Sequence, residues 1–155
     1  MKRLSVKGIV LGAVSDLGLT ALFAIPIFAV ATTQSGALDL PQAQQNAAIF
    51  AAMRDNPSLY VAGLVAGSLA SFIGGYVAAR VAKRAAVLNG AASAVLCVAL
   101  GLVSTPSTPD TIGPWQHLAF VILSPALGAL GGLTYQRRLQ RPQSVSAEPP
   151  AGISR

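Results

Sequence analysis

The chain alternates between long apolar runs and short segments rich in polar residues, proline and glycine. Four runs are long enough for membrane helices, because about 20 residues rising about 1.5 Å each cross a hydrocarbon core of about 30 Å. The pattern therefore predicts an all-α membrane protein, built as a four-transmembrane-helix bundle. Its spans are predicted at about 8–31, 59–79, 85–103 and 115–135.

The segment between the first two runs predicts a fifth, shorter helix. Residues 41–55 mix polar residues with apolar ones such as Phe50. This stretch is too short to cross a bilayer, so we expect a short outer interfacial helix that lies on the membrane surface. Asp39 is expected to cap its start, and Pro41 suits its first turn.

The other two polar segments are predicted to be irregular. Residues 104–114 repeat serine, threonine and proline, which is typical of a turn-rich connector. Residues 136–155 begin basic and become rich in proline and serine. They predict a disordered cytoplasmic tail that follows one transmembrane domain of residues 1–135.

The composition supports a membrane protein. Hydrophobic residues make up 53% of the chain and charged residues 10%, and the mean hydropathy is +0.60. A soluble domain carries about 25% charged residues. A soluble fold with so few charges would not cover its surface with polar groups.

The net charge of +6 raises the question of nucleic-acid binding. The basic residues lie beside apolar runs without interleaved aromatic residues, so we expect the bilayer, and no nucleic acid, as the partner. The two predicted outer loops hold one basic residue, Arg54, while the other ten lie in the termini and in the turn between spans 2 and 3. By the positive-inside rule both termini are then cytoplasmic.

The first run has a second interpretation, as a cleaved signal peptide. It follows a basic start, and Ala29–Ala31 resembles a cleavage site. However, the run exceeds the usual apolar region of about 7–15 residues, and Asp16 lies in its middle. These features favour a retained span.

Span 2 carries small residues at every fourth position in two neighbouring rows. Membrane helices associate through close packing of small residues and through hydrogen bonds, because lipid is as apolar as leucine. Span 2 is therefore predicted to be the central helix, with span 4 repeating the pattern. The predicted helix-packing residues are Gly63, Gly67, Ser71, Gly74, Gly75, Gly128 and Gly132.

Asp16 is the one acid within a predicted span. Charged groups are costly inside a bilayer and usually face the bundle interior. Gly8, Gly12 and Thr20 lie on the same helical stripe, which is expected to face span 2 or span 3. Counting residues from the cytoplasmic ends places further polar groups at a similar depth. The predicted intramembrane polar cluster is Asp16, Tyr76, Asn89, Ser93 and Arg80.

Three roles compete for Asp16. It could tether span 1 to spans 2 and 3, bind a proton or cation, or meet a basic residue of a partner helix. Transporters usually show repeats and broken helices, which we do not find. Four short spans are also expected to leave little room for a cavity.

No arrangement for catalysis or cofactor binding is evident in the sequence. The motifs G-x-S-x-G and H-E-x-x-H are absent, and there is one cysteine, Cys97, and one histidine, His117. We interpret Cys97 as a packing residue and His117 as a surface residue without a second ligand at metal-binding spacing. We therefore expect no enzyme, no metal site and no cofactor.

The stretch "GGYVAARVAKRAAVLNGAASAVL" (Gly74–Leu96) resembles a group of uncharacterised bacterial four-span membrane proteins, in which a GGY-x-AAR segment ends the second span. "GAVSDLG" in the first span resembles the acid-containing first span of that group. The resemblance implies the four-span fold and a bacterial inner (cytoplasmic) membrane. It implies no activity.

The sequence therefore favours a structural, accessory or oligomerising subunit, which associates with copies of itself or with another membrane protein. The alternative is a small proton- or cation-coupled transporter or channel that uses Asp16.

Overall fold

A computed structural model describes residues 4–104 and 114–140 of the chain. These residues form five α-helices and one short 3-10 helix, and no strand lies among them. The 3-10 helix spans Ala37–Asp39. The α-helices are α1 (Val6–Ser35), α2 (Gln42–Asp55), α3 (Pro57–Ala82), α4 (Ala86–Ser104) and α5 (Pro114–Gln140).

Three of the described helices, α1, α3 and α4, are long and apolar enough to cross a membrane. The prediction of an all-α fold is confirmed for the described residues. The fourth predicted span coincides in position with α5. The predicted connector lies, apart from its first and last residues, outside the described residues, as do positions 141–155 of the predicted tail.

The helices extend beyond the predicted spans. α1 runs for 30 residues, because Pro26 inside it does not end the helix and Gly36, with a φ of 60°, provides the turn after Ser35. α5 continues to Gln140, so the prediction of a disordered tail is wrong for residues 136–140. The basic residues there continue the last turns of the helix, where cations suit the helix dipole.

The predicted cap of α2 is also wrong. Asp39 belongs to the 3-10 helix, where its N–H donates to the carbonyl of Gly36 at 3.1 Å, and α2 begins at Gln42 without a side-chain cap. The capped helix is the next one. The side-chain oxygen of Asn56 accepts from the N–H of Ser58 at 3.0 Å and of Leu59 at 3.4 Å, which fixes the start of α3.

Helix α3 is the centre of the bundle, as its rows of small residues predict. It contacts α1, α2, α4 and α5, while α4 contacts α1 on one side and α5 on the other. Within the described ranges, α1 and α5 do not contact each other. The long helices therefore form two three-helix groups, α1–α3–α4 and α3–α4–α5, that share α3 and α4.

The buried core is made of small residues. Apart from Leu59, every buried apolar residue described is an alanine, and the largest fully buried side chains are those of Asn89 and Ser93. Large apolar side chains face outward, as at Val14 (59% exposed) and Ile25 (66% exposed). A soluble domain buries such side chains, whereas lipid accepts them and leaves small residues for helix contacts. The chain is therefore a membrane protein.

Three helices meet at Gly75 of α3, Gly90 of α4 and Gly128 of α5, which we call the glycine junction. A methyl group at Gly75 or at Gly90 would overlap the carbonyl oxygen of Gly128. A methyl group at Gly128 would lie 2.8 Å from the Cβ of Ala94 and would also crowd the Gly90 carbonyl. One turn further, Gly132 approaches the backbone of Ala86 in the same way. No side chain fits between the backbones here.

The two ends of the bundle differ in charge. All described basic residues except Arg54 lie at the end where α1 starts, α3 meets α4, and α5 finishes; we call it the basic end. The opposite end carries α2, with Arg54 paired to Asp55 at 3.1 Å, and we call it the α2 end. The residues at the basic end are Lys7, Arg80, Lys83, Arg84, Arg137 and Arg138.

Replacing a junction glycine is expected to destabilise the bundle. We expect Gly128→Ala to lower the free energy of unfolding by about 1–3 kcal/mol, the usual cost of overpacking, because the added methyl group must push two backbones apart. Gly18→Ala is the matched control, since a methyl group there meets nothing within 4 Å. Thermal unfolding in detergent measures both. Equal midpoints of thermal unfolding for the two variants would contradict the close packing at the glycine junction.

Candidate functional site

The polar stripe of α1 packs against α3. A methyl group at Gly12 would lie 2.6 Å from the Cβ of Ala78 and 2.8 Å from the carbonyl oxygen of Gly74. One turn further, the Cβ of Asp16 lies 2.7 Å from where a methyl group at Gly74 would stand. Because Gly12 allows α1 to approach α3 closely, the side chain of Asp16 lies inside the bundle.

Asp16 lies among neutral polar side chains from four helices. It is 5% exposed, and Thr20 Oγ1 donates to its Oδ1 at 3.4 Å. Ser71 of α3 and Cys97 of α4 lie close enough to interact with its carboxyl group. Ser71 Oγ in turn lies 3.0 Å from Ser124 Oγ of α5. We call Asp16, Thr20, Ser71, Cys97 and Ser124 the Asp16 cluster.

No basic side chain pairs with Asp16 among the described residues, where the one ion pair is Arg54–Asp55. Cys97 is half-buried, and its thiol donates to the carbonyl of Ala13 at 3.4 Å. The cluster thus joins α1 to α3 and α4 without supplying a countercharge to the acid.

A cavity of about 480 Å³ extends from the Asp16 cluster toward the α2 end. Its length along α3, from Ser71 to Leu59, is about 18 Å at 1.5 Å per residue. Exposed residues line the cavity at the far end, as at Phe50, Arg54 and Tyr60, so it reaches the surface there. Exposed side chains also border it along its side, at Leu17, Leu102 and Phe120. All five helices contribute to it. The walls include Leu17, Gly63, Leu64, Gly67, Val98, Phe120 and Val121.

The expectation that four short spans leave little room for a cavity is wrong. The reason is that the row of small residues on α3 is covered only toward the basic end. Gly75 is tightly packed, whereas no atom of the described residues lies within 4 Å of a methyl group placed at Gly63. At Gly67 such a group would meet, among the described residues, only the ring of Phe120, at 3.2 Å. Uncovered glycines therefore form part of the cavity wall.

The predicted polar cluster of Asp16, Tyr76, Asn89, Ser93 and Arg80 does not form. Ser93 comes nearest, since its Cβ lies 3.0 Å from a methyl position on Gly12, but its hydroxyl donates to the carbonyl of Gly90 at 2.9 Å. Arg80 is exposed at the basic end. Counting from the run ends placed these residues level with Asp16, yet Ser71 and Cys97, nearer the α2 end, are its actual neighbours.

Tyr76 faces α5 instead of α1. Its ring meets that of Tyr135 edge to face, with centroids 5.6 Å apart. Its hydroxyl accepts from Nη1 of Arg138 at 3.4 Å. Tyr76 therefore helps to join α3 to the last turns of α5 at the basic end.

Asn89 stabilises the corner where α1 begins and α3 turns into α4. Its Oδ1 accepts from the N–H of Ser5 at 2.8 Å, and its Nδ2 donates to the carbonyls of Arg84 at 2.9 Å and Ala85 at 3.1 Å. Lys83 and Ala85 have positive φ angles of 55° and 44° in this turn. Since the side chain is fully buried and bonds only to backbone groups, we assign Asn89 a structural role.

The predicted helix-packing residues fall into two groups. Gly74, Gly75, Gly128 and Gly132 lie at close helix contacts. The other three line the cavity, and Ser71 does so as a member of the Asp16 cluster: Gly63, Gly67 and Ser71.

The sequence did not predict Cys97 as a neighbour of Asp16, Ser124 as the partner of Ser71, or Gly131 as a packing residue. Cys97 follows Ser93 by one helical turn and so shares its face, which was the available signal. A methyl group at Gly131 would overlap the carbonyl oxygen of Phe72. The side chain of His117 lies outside the described residues, and the described ones contain no group of three His, Cys, Asp or Glu residues placed to hold a metal.

The fold and the cavity define a helical membrane protein with a buried acid at the inner end of an apolar cavity. No family model, curated protein or solved structure matches the chain.

Proposed function

We propose that α1, α3, α4 and α5 each cross the bilayer, with both termini in the cytoplasm and α2 on the outer surface. Support comes from charge, because the basic end gathers every described basic residue except Arg54. α5 has 27 residues, about 40 Å of helix, which is long enough to cross. α2 packs on α1 through an edge-to-face contact of Phe50 with Phe28, at 5.9 Å between ring centroids. The bacterial inner membrane rests on the resemblance of Gly74–Leu96.

Cysteine labelling tests this orientation. In a Cys97→Ala background, a cysteine at Gln45 of α2 is expected to react with a membrane-impermeant maleimide in intact cells. A cysteine at Gln140 of α5 is expected to react only after permeabilisation. Gln140 is exposed and Gln45 is partly exposed. The opposite pattern, or labelling of both in intact cells, would contradict the proposed topology.

We propose further that the protein is a small proton- or cation-coupled transporter or channel, with Asp16 as its cation-binding residue. One observation carries this: the acid lies at the inner end of a cavity that reaches the surface at the α2 end. A buried carboxylate among apolar walls is costly unless it holds a proton or meets a cation. No described basic side chain supplies that charge, and we infer that it enters through the cavity.

A purely structural role explains less of the site. The contacts with Ser71 and Cys97 do tether α1 to α3 and α4, and such bonds contribute about 0.6 kcal/mol on average in membrane proteins. A tether does not require an open volume beside it. Glycines that a partner helix could have contacted instead pack against other helices of the same chain, as at the glycine junction.

Ion flux into liposomes tests the role of Asp16. We expect the reconstituted protein to pass protons, Na⁺ or K⁺, and expect Asp16→Asn to abolish that flux because the amide cannot carry the charge. Gly63→Leu should also abolish it, since the added side chain fills open cavity space. Gly18→Leu is the matched control and should retain flux.

Two outcomes would contradict the proposal. One is an absence of flux from folded wild-type protein, and the other is equal flux from wild type and Asp16→Asn. Thermal unfolding of each variant shows whether a loss of flux reflects a loss of fold.

An accessory or oligomerising subunit remains the second candidate, favoured by one groove. Toward the α2 end, α1 and α3 leave an open groove between them, lined by Phe23, Val61, Ala62, Val65 and Ala66 among others. Ala62 and Ala66 continue the small-residue row in which Ala70 and Ala78 are fully buried, and α1 contacts that row at Ala78. A second membrane helix would fit this row. A monomer in mild detergent and in nanodiscs would rule against it.

A further inference from the structure

We propose that the cavity binds a long-chain organic amine, with its ammonium group at Asp16 and its apolar chain directed toward the α2 end. This inference rests on the proposed role of Asp16 as a cation site and specifies which cation it takes.

The inner end of the cavity suits an ammonium group better than a bare metal ion. Asp16 is the one charged group among the described residues there, and Thr20, Ser71 and Ser124 of the Asp16 cluster offer hydroxyl oxygens. A primary ammonium has three N–H donors and meets such a mixed set of acceptors. Metal ions that prefer oxygen usually require several carboxylate or carbonyl ligands. No group of three acidic, His or Cys ligands lies among the described residues.

The walls suit an apolar chain. Between the Asp16 cluster and α2 the cavity is bounded by aliphatic and aromatic side chains and by bare glycine backbone, as at Leu64, Val98 and Phe120. Its volume of about 480 Å³ lies within the range of about 300–1,000 Å³ typical of small-molecule sites. A small hydrated ion would leave most of this apolar surface unused, whereas an alkyl chain would cover it.

The far end of the cavity does not oppose entry of a cation. Arg54 is the one basic side chain among the described residues that line the cavity, and Asp55 pairs with it at 3.1 Å. Phe50 and Tyr60 flank the same end, and aromatic faces attract ammonium groups. The charge pattern along the cavity therefore leads from a neutralised entrance to an unneutralised acid.

Cys97 provides a built-in reporter, because it is the only cysteine of the chain and lines the cavity beside Asp16. The measurement is the rate at which N-ethylmaleimide alkylates Cys97 in lipid nanodiscs, with and without decylamine. Decylamine is charged at neutral pH, as a lysine side chain is. Decanol and decanoate have the same chain length and control for effects on the bilayer.

We expect decylamine, at about ten times its Kd, to slow alkylation about tenfold, because only the unoccupied protein reacts. Decanol and decanoate should leave the rate nearly unchanged. Protection, taken as the ratio of rates within each variant, should disappear in Asp16→Asn and in Gly63→Leu. It should persist in Gly18→Leu. Where Asp16→Asn fails to fold, Gly63→Leu provides the test, since a Cβ atom at this position meets no described atom within 4 Å.

If Cys97 proves unreactive in wild type, a cysteine at Gly67 on the facing wall takes its place as reporter, in a Cys97→Ala background. Equal protection by the three compounds would overturn the inference, as would protection that survives both cavity variants. Asp16-dependent flux of protons, Na⁺ or K⁺, without protection of the reporter cysteine by decylamine, would overturn the proposal of amine binding. It would leave the proposed function intact. Absence of both flux and protection would overturn both.

Discussion

The whole arrangement depends on the close approach of three backbones at Gly75, Gly90 and Gly128. Because lipid gives little reward for hiding large apolar side chains, the helices gain stability by van der Waals contact, and contact is best where side chains are absent. The junction brings α3, α4 and α5 together in this way. Gly12 then lets α1 approach α3 at Gly74 and Ala78. The small residues toward the basic end are therefore engaged in helix–helix contacts.

The open volume follows from the same constraint. Close backbone contacts fix the helices toward the basic end. Away from these contacts, neighbouring helices stay packed only where their side chains are large enough to fill the space between them. Toward the α2 end α3 instead presents Gly63 and Gly67, which leave space that Phe120 fills only in part. Asp16 lies where close packing gives way to the cavity. We propose Asp16 as a binding residue because it borders this accessible space. An acid enclosed by close helix contacts on all sides could not meet a ligand.

The fold was predictable from sequence because run length and the four-residue spacing of small residues are local signals. They place α3 at the centre and Gly74 and Gly75 at helix contacts. The site was less predictable. Gly63 and Gly75 belong to one row on one helix, yet one lines a cavity and the other is tightly packed. Which outcome applies depends on how far neighbouring helices diverge, and the residues of α3 do not encode this.

Depth was the second difficulty. Asn89 was placed level with Asp16 by counting residues from run ends, but its amide bonds to Ser5 and to the α3–α4 turn at the basic end. The positive φ angles of Lys83 and Ala85 shape that turn. Neither lysine nor alanine is a residue type that predicts a positive φ angle. An error of a turn or two in register replaced Ser71 and Cys97 by Tyr76 and Asn89 as the neighbours of Asp16.

The most direct test of the account is a scan of single cysteines along α3, each in a Cys97→Ala background and each exposed to a small water-soluble thiol reagent. Labelling is predicted at positions 63, 67 and 71, which line the cavity, and is predicted to be absent at position 73, an exposed position of α3 that lines neither the cavity nor the groove between α1 and α3. Equal labelling at position 73 and at the cavity positions, or reaction only at position 73, would contradict a cavity that leads to Asp16.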